Sequence, residues 1–134
     1  MSSELLEHAL ERVRLGVPLD DAFETFLDAF FLASTPEEKL EILSARPAST
    51  GDPRLDALAG AAVDYLARQH CLSSVPKWTY EPERFLEHPW HMCAYEDLGR
   101  REYLTFASPA EFKTRNIFTV ERPLNWGRKS SLFS

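Results

Sequence analysis

One stretch of the chain, from Asp52 to Leu72, limits its possible folds most strongly, because it has the most regular apolar pattern in the sequence. It reads DPRLDALAGAAVDYLARQHCL. Asp52 can accept from the free N–H groups of a first helical turn, and Pro53 has no N–H to leave unpaired there. Apolar residues then recur at the spacing of one helical face: Leu55, Leu58, Ala59, Ala62, Val63 and Leu66. We therefore predict a long central helix from Pro53 to about His70–Leu72.

Small residues in this helix predict that a neighbouring element approaches closely. Gly60 lies in the run AGAA at 59–62, and glycine costs about 1 kcal/mol relative to alanine inside a helix. We infer that Gly60 is tolerated because a second helix packs closely against this run. Tyr65 and Arg68 belong to the other face of the helix. At the C-terminal end, a cationic His70 would favour the helix dipole.

The N-terminal third predicts three shorter helices. The first runs from about Ser3 to Leu15, and Gly16 is well placed to end it. The second runs from Pro18 to about Ala33 and contains four phenylalanines in nine residues, which we assign to the core. Alternatively, these rings fill a groove on a partner protein. The third runs from Pro36 to about Ala45.

A capping box opens this third helix. Thr35 can accept from the N–H of Glu38, while the Glu38 side chain returns to the N–H of Thr35. Ser108-Pro109-Ala110-Glu111 repeats the same pattern, so we predict a short helix from Pro109 to about Asn116. Residues 94–107 fit both a helix and an extended segment, and we favour the helix.

Residues 73–90, which we call the strap, differ in amino-acid composition from the predicted helices. The strap reads SSVPKWTYEPERFLEHPW, with three prolines and two of the three tryptophans. We predict an irregular segment laid across the central helix, with one helical turn at Pro82–Glu87. The rings of Trp78, Tyr80, Phe85 and Trp90 are large enough to seal one end of a helix bundle; a ligand site is the alternative. The fold class is therefore a compact all-α domain over residues 1–120, and residues 121–134 form a tail that is partly disordered in isolation.

Charge is distributed unevenly along the chain. The net charge is −6, and residues 1–52 contribute −7, with 11 acids and 4 bases. Residues 99–134 contribute +4, with 3 acids and 7 bases. An acidic domain binds nucleic acid poorly but suits a basic protein surface. Alternatively, these charges only solvate helix faces.

The N-terminus has neither the basic region nor the apolar region of a signal peptide, and no apolar run approaches 18 residues, the length of a membrane span. We therefore expect a cytoplasmic protein. The two cysteines, Cys71 and Cys93, are then most simply free thiols, although a disulfide between them remains open.

Few residues suggest catalysis. The spacing of His88, His91 and Cys93 can supply three zinc ligands, with His70 and Cys71 as further candidates, but loop histidines are the simpler interpretation. No phosphate-binding loop or nucleophile elbow is present. We predict a protein that is not an enzyme, with no cofactor and no metal.

The segment from Phe112 to Phe118 is the best candidate for a binding surface. It combines arginine, asparagine and aromatic rings, which are residue types suited to interface hot spots. The predicted protein-binding residues are Phe112, Arg115, Asn116, Phe118, Trp126, Trp78 and Trp90. In the alternative, Phe112 and Phe118 pack against the bundle and the basic residues are solvated.

Three segments in succession carry a resemblance over roughly residues 52–120: PRLDALAGAAVDYLARQH, VPKWTYEPERFLEHPW and ASPAEFKTRNIF. This pattern resembles a family of small, largely uncharacterised bacterial proteins often encoded beside nucleotidyltransferase-like toxins. The resemblance implies an antitoxin-like role, in which a protein-binding module masks a basic site of the toxin. It brings no catalytic residues. The alternatives are a DNA-binding transcriptional regulator, whose basic tail contacts phosphates, and a small metal- or thiol-dependent enzyme.

Overall fold

Helices form most of the chain in the computed structural model, which describes residues 5–92, 105, 107–119 and 123–124. The helices are α1 (Leu5–Arg14), α2 (Leu19–Leu32), α3 (Pro36–Ser44), α4 (Pro53–Gln69) and α5 (Ala110–Lys113). The strap contains two 3₁₀ turns, Lys77–Tyr80 and Pro82–Arg84. Its end forms a short strand, β1 (Trp90–His91), which pairs with β2 (Ile117–Phe118). The predicted all-α class is confirmed, and none of the helices within the described ranges is long and apolar enough to cross a membrane.

Helix α4 is the centre of the fold. Every residue from Leu55 to Ala67 is buried, because α1, α3, α5 and both turns of the strap pack around this helix. Leu58 and Leu66 lie in the core, as predicted. Tyr65, which the pattern assigned to the other face of the helix, is also buried, and its ring packs edge-on against Phe112 of α5, with 5.7 Å between the ring centroids.

The neighbour that approaches Gly60 is the strap and not a second helix. A Cβ atom at this position would lie 3.1 Å from Arg84 Cβ and 3.2 Å from the carbonyl oxygen of Thr79. It would also lie 3.3 Å from Nε of Arg115. The glycine is therefore explained by close packing, as predicted, but against irregular backbone and a buried arginine.

Capping residues begin two of the helices as predicted. The side chain of Asp52 accepts from the N–H of Arg54 at 3.0 Å, and Thr35 Oγ1 accepts from the N–H of Glu38 at 3.1 Å. The second half of the Thr35 capping box is shifted by one residue, because Glu38 accepts from the N–H of Ser34 at 3.0 Å.

The capping box predicted at Ser108 is wrong. No side chain caps α5, and its N-cap residue is Pro109. Ser108 Oγ instead donates to the carbonyl of Thr119 and accepts from the N–H of the same residue, both at 2.8 Å. This pair of bonds fastens the chain that follows β2 to the start of α5. Ser108 thus bonds to a backbone group 11 residues away in the sequence. A local sequence pattern does not reveal such a partner.

The two strands form a parallel ladder that the sequence did not predict. Trp90 is paired with Ile117 and His91 with Phe118. A two-residue strand is too short to show the alternation by which strands are recognised. Most of the predicted helix at 94–107 lies outside the described residues. Of this segment the structure describes Thr105 and Ala107, and both are helical. Of the tail, Pro123 and Leu124 are described, and both are buried.

His70, at the C-terminal cap of α4, lies against two phenylalanine rings. Its imidazole is 5.0 Å from the centroids of both Phe30 and Phe31, with both rings edge-on. Lys39 lies over the same two phenylalanine rings and donates to the carbonyl of Phe30 at 2.7 Å. Desolvation by burial, followed by the charge of Lys39, lowers the pKa of His70 from its ordinary value of 6.5. The lowered pKa therefore disfavours the cationic form of His70 that would favour the helix dipole.

This lowered pKa predicts a loss of stability in mild acid. The unfolded state takes up a proton at His70 more readily than the folded state, so its contribution to stability is complete above about pH 6.5 and falls below it. Urea unfolding between about pH 7 and pH 5 should show a smaller acid loss in His70→Gln than in the unsubstituted protein. His8→Gln, at an exposed position of α1, is the matched control. Equal acid losses in the unsubstituted protein and in His70→Gln would contradict the prediction.

Candidate functional site

An open groove of about 1010 Å³ runs between the start of α4 and the strap. One wall is formed by residues between Ser49 and Asp56, and the other by strap residues between Pro82 and Pro89. Its charged and titratable lining residues are Asp52, Arg54, Asp56, Glu83, Glu87 and His88. We call this the acidic groove, because four carboxylates line it together with one arginine.

The acidic groove also has apolar walls. Phe85 and Leu86 are half-buried in the strap wall, and prolines line both walls. Such a mixture suits a ligand that carries positive charge next to apolar groups, because the apolar surface supplies contact area and the carboxylates select the charge.

The carboxylates of the acidic groove differ in their availability. Asp56 is buried and accepts from Ser49 Oγ at 2.8 Å and from both the N–H and the hydroxyl of Thr50 at 2.9 Å. It therefore holds the loop before α4 in place. Glu83 lies at the rim, 3.7 Å from Arg46, and its side chain is half exposed. Asp52 is exposed, but its side chain caps α4 by accepting from the N–H of Arg54. Glu87 is exposed and forms no salt bridge with the described residues, so Glu83 and Glu87 are the carboxylates best placed to meet a ligand.

Arg84 holds the strap wall of the acidic groove from inside. Its guanidinium is buried and donates to the carbonyls of Asp56 at 3.2 Å and Pro47 at 3.0 Å. It also lies over the ring of Trp78, 4.8 Å from the centroid. One side chain thus joins the strap to both the start of α4 and the loop before it, and fixes the two walls relative to each other.

Arg115 holds the strap further along α4. It is completely buried and pairs with Asp64 at 3.0 Å, and it donates to the carbonyls of Thr79 at 2.7 Å and Glu111 at 2.8 Å. Its guanidinium also lies within 5.1 Å of the ring centroids of two strap residues, Tyr80 and Phe85. The expectation that Arg115 is a surface residue is wrong, because its two Nη atoms donate to an internal carboxylate and two carbonyls. Its buried Nε has no hydrogen-bond partner among the described residues.

Asp64 completes its bonding at the surface. Arg68 Nε donates to it at 2.7 Å and the hydroxyl of Tyr80 donates to it at 2.9 Å. Arg68 also donates to Tyr80 at 2.8 Å, and these bonds with Tyr80 and Asp64 raise the pKa of Arg68 above its ordinary value. A carboxylate with this many donors is a structural anchor and a poor general base.

The other predicted binding residues differ in how deeply they are buried. Phe112 is completely buried, and Trp78 is buried with its indole N–H donating to the carbonyl of Leu43 at 3.1 Å. Both rings therefore belong to the core. For Phe112, this agrees with the alternative interpretation that its ring packs against the bundle. Asn116 is half-buried in a left-handed conformation (φ 63°), and its amide donates to the carbonyl of Leu86 at 2.9 Å.

Phe118 and Trp90 are the predicted rings that stay partly exposed. Phe118 stacks on His91, with 4.8 Å between ring centroids. Trp90 lies beside the acidic groove, and the guanidinium of Arg54 lies over its ring at 5.2 Å. Trp126 lies outside the described residues. Trp90, Arg115 and Asn116 therefore each contact a residue that lines the acidic groove, namely Arg54, Phe85 and Leu86 in that order.

The proposed metal ligands are only partly described. His88 lines the acidic groove, whereas His91 faces Phe118 and lies 3.2 Å from the hydroxyl of Thr105. Cys93 lies outside the described residues, so the alternative of a three-ligand metal site is untested. Within the described ranges, no three His, Cys, Asp or Glu residues are grouped so that they could hold a metal ion.

A sequence signal for the buried polar groups was present but was missed. Asp56, Gly60, Asp64 and Arg68 recur at every fourth position of α4 and so lie along one stripe of the helix. The strap and Arg115 pack on this stripe, and both of its aspartates are buried. A polar stripe on an otherwise apolar helix indicates that a segment with its own polar groups will cover it.

Comparisons with protein-family models, with curated proteins and with solved structures give no match to this chain. The acidic groove and the surfaces beside it are therefore the main basis on which a function is proposed.

Proposed function

We propose that this chain is a non-enzymatic protein-binding module of the antitoxin type, which masks a basic site on a nucleotidyltransferase-like toxin in the cytoplasm. The observation that carries the proposal is the acidic groove, in which four carboxylates and one arginine line an open, partly apolar cleft. A basic protein segment is the ligand complementary to such a cleft. The resemblance over residues 52–120 suggests the class of the partner.

The bonding of the buried charged groups supports binding over catalysis. Asp56 and Asp64 each accept several fixed hydrogen bonds, and Arg84 and Arg115 are occupied by carbonyls and rings. Catalytic acids and bases need a proton that can be exchanged with a substrate. Asp56 and Arg84 instead support the two walls of the acidic groove, and Asp64 and Arg115 hold the strap further along α4.

The distribution of charge also supports a basic protein as the partner. Residues 1–52 carry a charge of −7, and the acids of α2 and α3 include exposed Glu24 and Glu41. Such a field attracts a basic surface over roughly 8–10 Å at physiological salt. Arg115, one of the seven bases of residues 99–134, is buried and does not reach a phosphate. The bases of the tail, on which the DNA-binding alternative depends, lie outside the described residues.

The test is to co-express the tagged chain with the product of the neighbouring gene, which the proposal expects to be a nucleotidyltransferase-like toxin. We expect a stable complex at low salt that weakens at high salt, because charge complementarity brings the two surfaces together. We also expect the chain, added in equal amount, to abolish the partner's nucleotidyl transfer. A partner that keeps full transfer activity in the presence of the chain would overturn the proposal, as would recovery of the chain with duplex DNA in place of a protein.

A further inference from the structure

Each of the four large rings of the strap lies against an arginine. The pairs, with the distance from guanidinium carbon to ring centroid, are Arg84 on Trp78 (4.8 Å), Arg115 on Tyr80 (5.1 Å), Arg115 on Phe85 (4.7 Å) and Arg54 on Trp90 (5.2 Å). Arg84 and Arg115 are buried and fixed by hydrogen bonds to carbonyls. The pair of Arg54 and Trp90 differs, because Arg54 is exposed and lines the acidic groove, while Trp90 directly follows the lining residue Pro89.

Arg54 is held less firmly than the two buried arginines. In the part of the chain that the structure describes, its side chain forms no salt bridge within 4.0 Å, although Asp52, Glu83 and Glu87 line the same groove. An exposed cation–π contact changes an equilibrium constant by only about two- to five-fold. A second guanidinium that brought further contacts would therefore displace Arg54 from the Trp90 ring.

We propose that the acidic groove binds an arginine-bearing segment of the partner, and that one arginine of this segment replaces Arg54 over Trp90. This inference rests on the proposed function and specifies the chemistry of the partner's contact. Arginine suits the site better than lysine, because its planar guanidinium stacks on a ring while it pairs with a carboxylate through two hydrogen bonds. Arg54 then covers the ring until the partner arrives.

The size of the groove indicates a segment of several residues. Its volume of about 1010 Å³ is at the upper end of the range for ligand pockets, which is roughly 300–1,000 Å³, so one side chain does not fill it. Phe85 and Leu86 offer apolar contact to residues beside the arginine. Glu83 and Glu87, on the strap wall, are carboxylates of the groove that can pair with its charge.

The test uses the full chain and two capped peptides of equal charge, tetra-arginine and tetra-lysine, titrated by calorimetry at low ionic strength. We expect tetra-arginine to bind at least about three-fold more tightly than tetra-lysine, because only guanidinium groups stack and pair together. The double substitution Glu83→Gln and Glu87→Gln should weaken tetra-arginine binding about tenfold. Thermal melting of each variant shows whether it is folded before titration.

Arg54 is tested by a matched pair of substitutions. Arg54→Gln and Lys77→Gln each remove one exposed positive charge, but Lys77 lies outside the acidic groove. Arg54→Gln should increase the affinity for tetra-arginine by about two- to five-fold more than Lys77→Gln does, since it uncovers the Trp90 ring. The gain for tetra-lysine should be smaller.

Equal binding of the two peptides would overturn the inference, and so would equal effects of Arg54→Gln and Lys77→Gln. If the peptides fail in this way while the toxin is still captured and inhibited, the proposed function stands and the arginine site does not. If the arginine preference and the Arg54 effect are found but no toxin is inhibited, the groove is an arginine site and the antitoxin-like function is wrong.

Discussion

Arg115→Ala is expected to lower the free energy of unfolding by roughly 3–5 kcal/mol, because it breaks a buried ion pair and leaves a carboxylate undercompensated in the interior. Arg115 is 0% exposed and its partner Asp64 is 3% exposed. The substitution also removes donors from the carbonyls of Thr79 and Glu111. Urea unfolding followed by circular dichroism measures the loss.

The same carboxylate supplies the control for this prediction. Arg68 pairs with Asp64 at 2.7 Å, but its side chain is 53% exposed. Exposed ion pairs contribute about 0–1 kcal/mol, so Arg68→Ala should cost much less than Arg115→Ala. Similar losses in the two variants, or a loss below about 1 kcal/mol for Arg115→Ala, would contradict the description of Arg115 as the internal anchor of the strap.

Leu58→Ala should lower the free energy of unfolding by roughly 2–5 kcal/mol, because it leaves a cavity in a region that does not collapse easily. Leu58 is 0% exposed and belongs to the core cluster around α4. Chemical unfolding of the variant, compared with the unsubstituted chain, gives the difference directly.

Leu32→Ala is the matched control, since it removes the same atoms from a helix residue that is 69% exposed. Surface substitutions of this kind change stability by about 0.5 kcal/mol or less. A loss below about 1 kcal/mol for Leu58→Ala would mean that α4 is not the packed centre of the fold.

The helices could be predicted from the sequence because their signals are local. Asp52 and Pro53 together mark the start of α4, and Thr35 marks the start of α3 through a bond to the N–H three residues later. These interactions form within a single turn of helix, so the residues that make them are adjacent in the sequence. Ser108 shows the limit of this reasoning, because Thr119 takes the bonds that the local pattern assigned to a cap.

The candidate site could not be predicted in the same way, because its parts are distant in sequence. Arg115 resembles a surface hot spot until its partner Asp64, 51 residues earlier, is placed beside it. The acidic groove likewise joins residues 49–56 to residues 82–89, and no spacing rule connects these segments. Its position depends on Arg84, whose bond to the carbonyl of Pro47 spans 37 residues.

The measurement that tests the proposed function most directly is the affinity of the chain, in three forms, for the product of the neighbouring gene, which the proposal expects to be a nucleotidyltransferase-like toxin. The three forms are the unsubstituted chain, the groove variant Glu83→Lys with Glu87→Lys, and the control variant Glu24→Lys with Glu41→Lys, which makes the same charge change on α2 and α3. The acidic groove predicts a loss of at least about tenfold in the groove variant and less than about threefold in the control. Equal losses in the two variants, or a loss confined to the control, would show that the groove is not the site of contact.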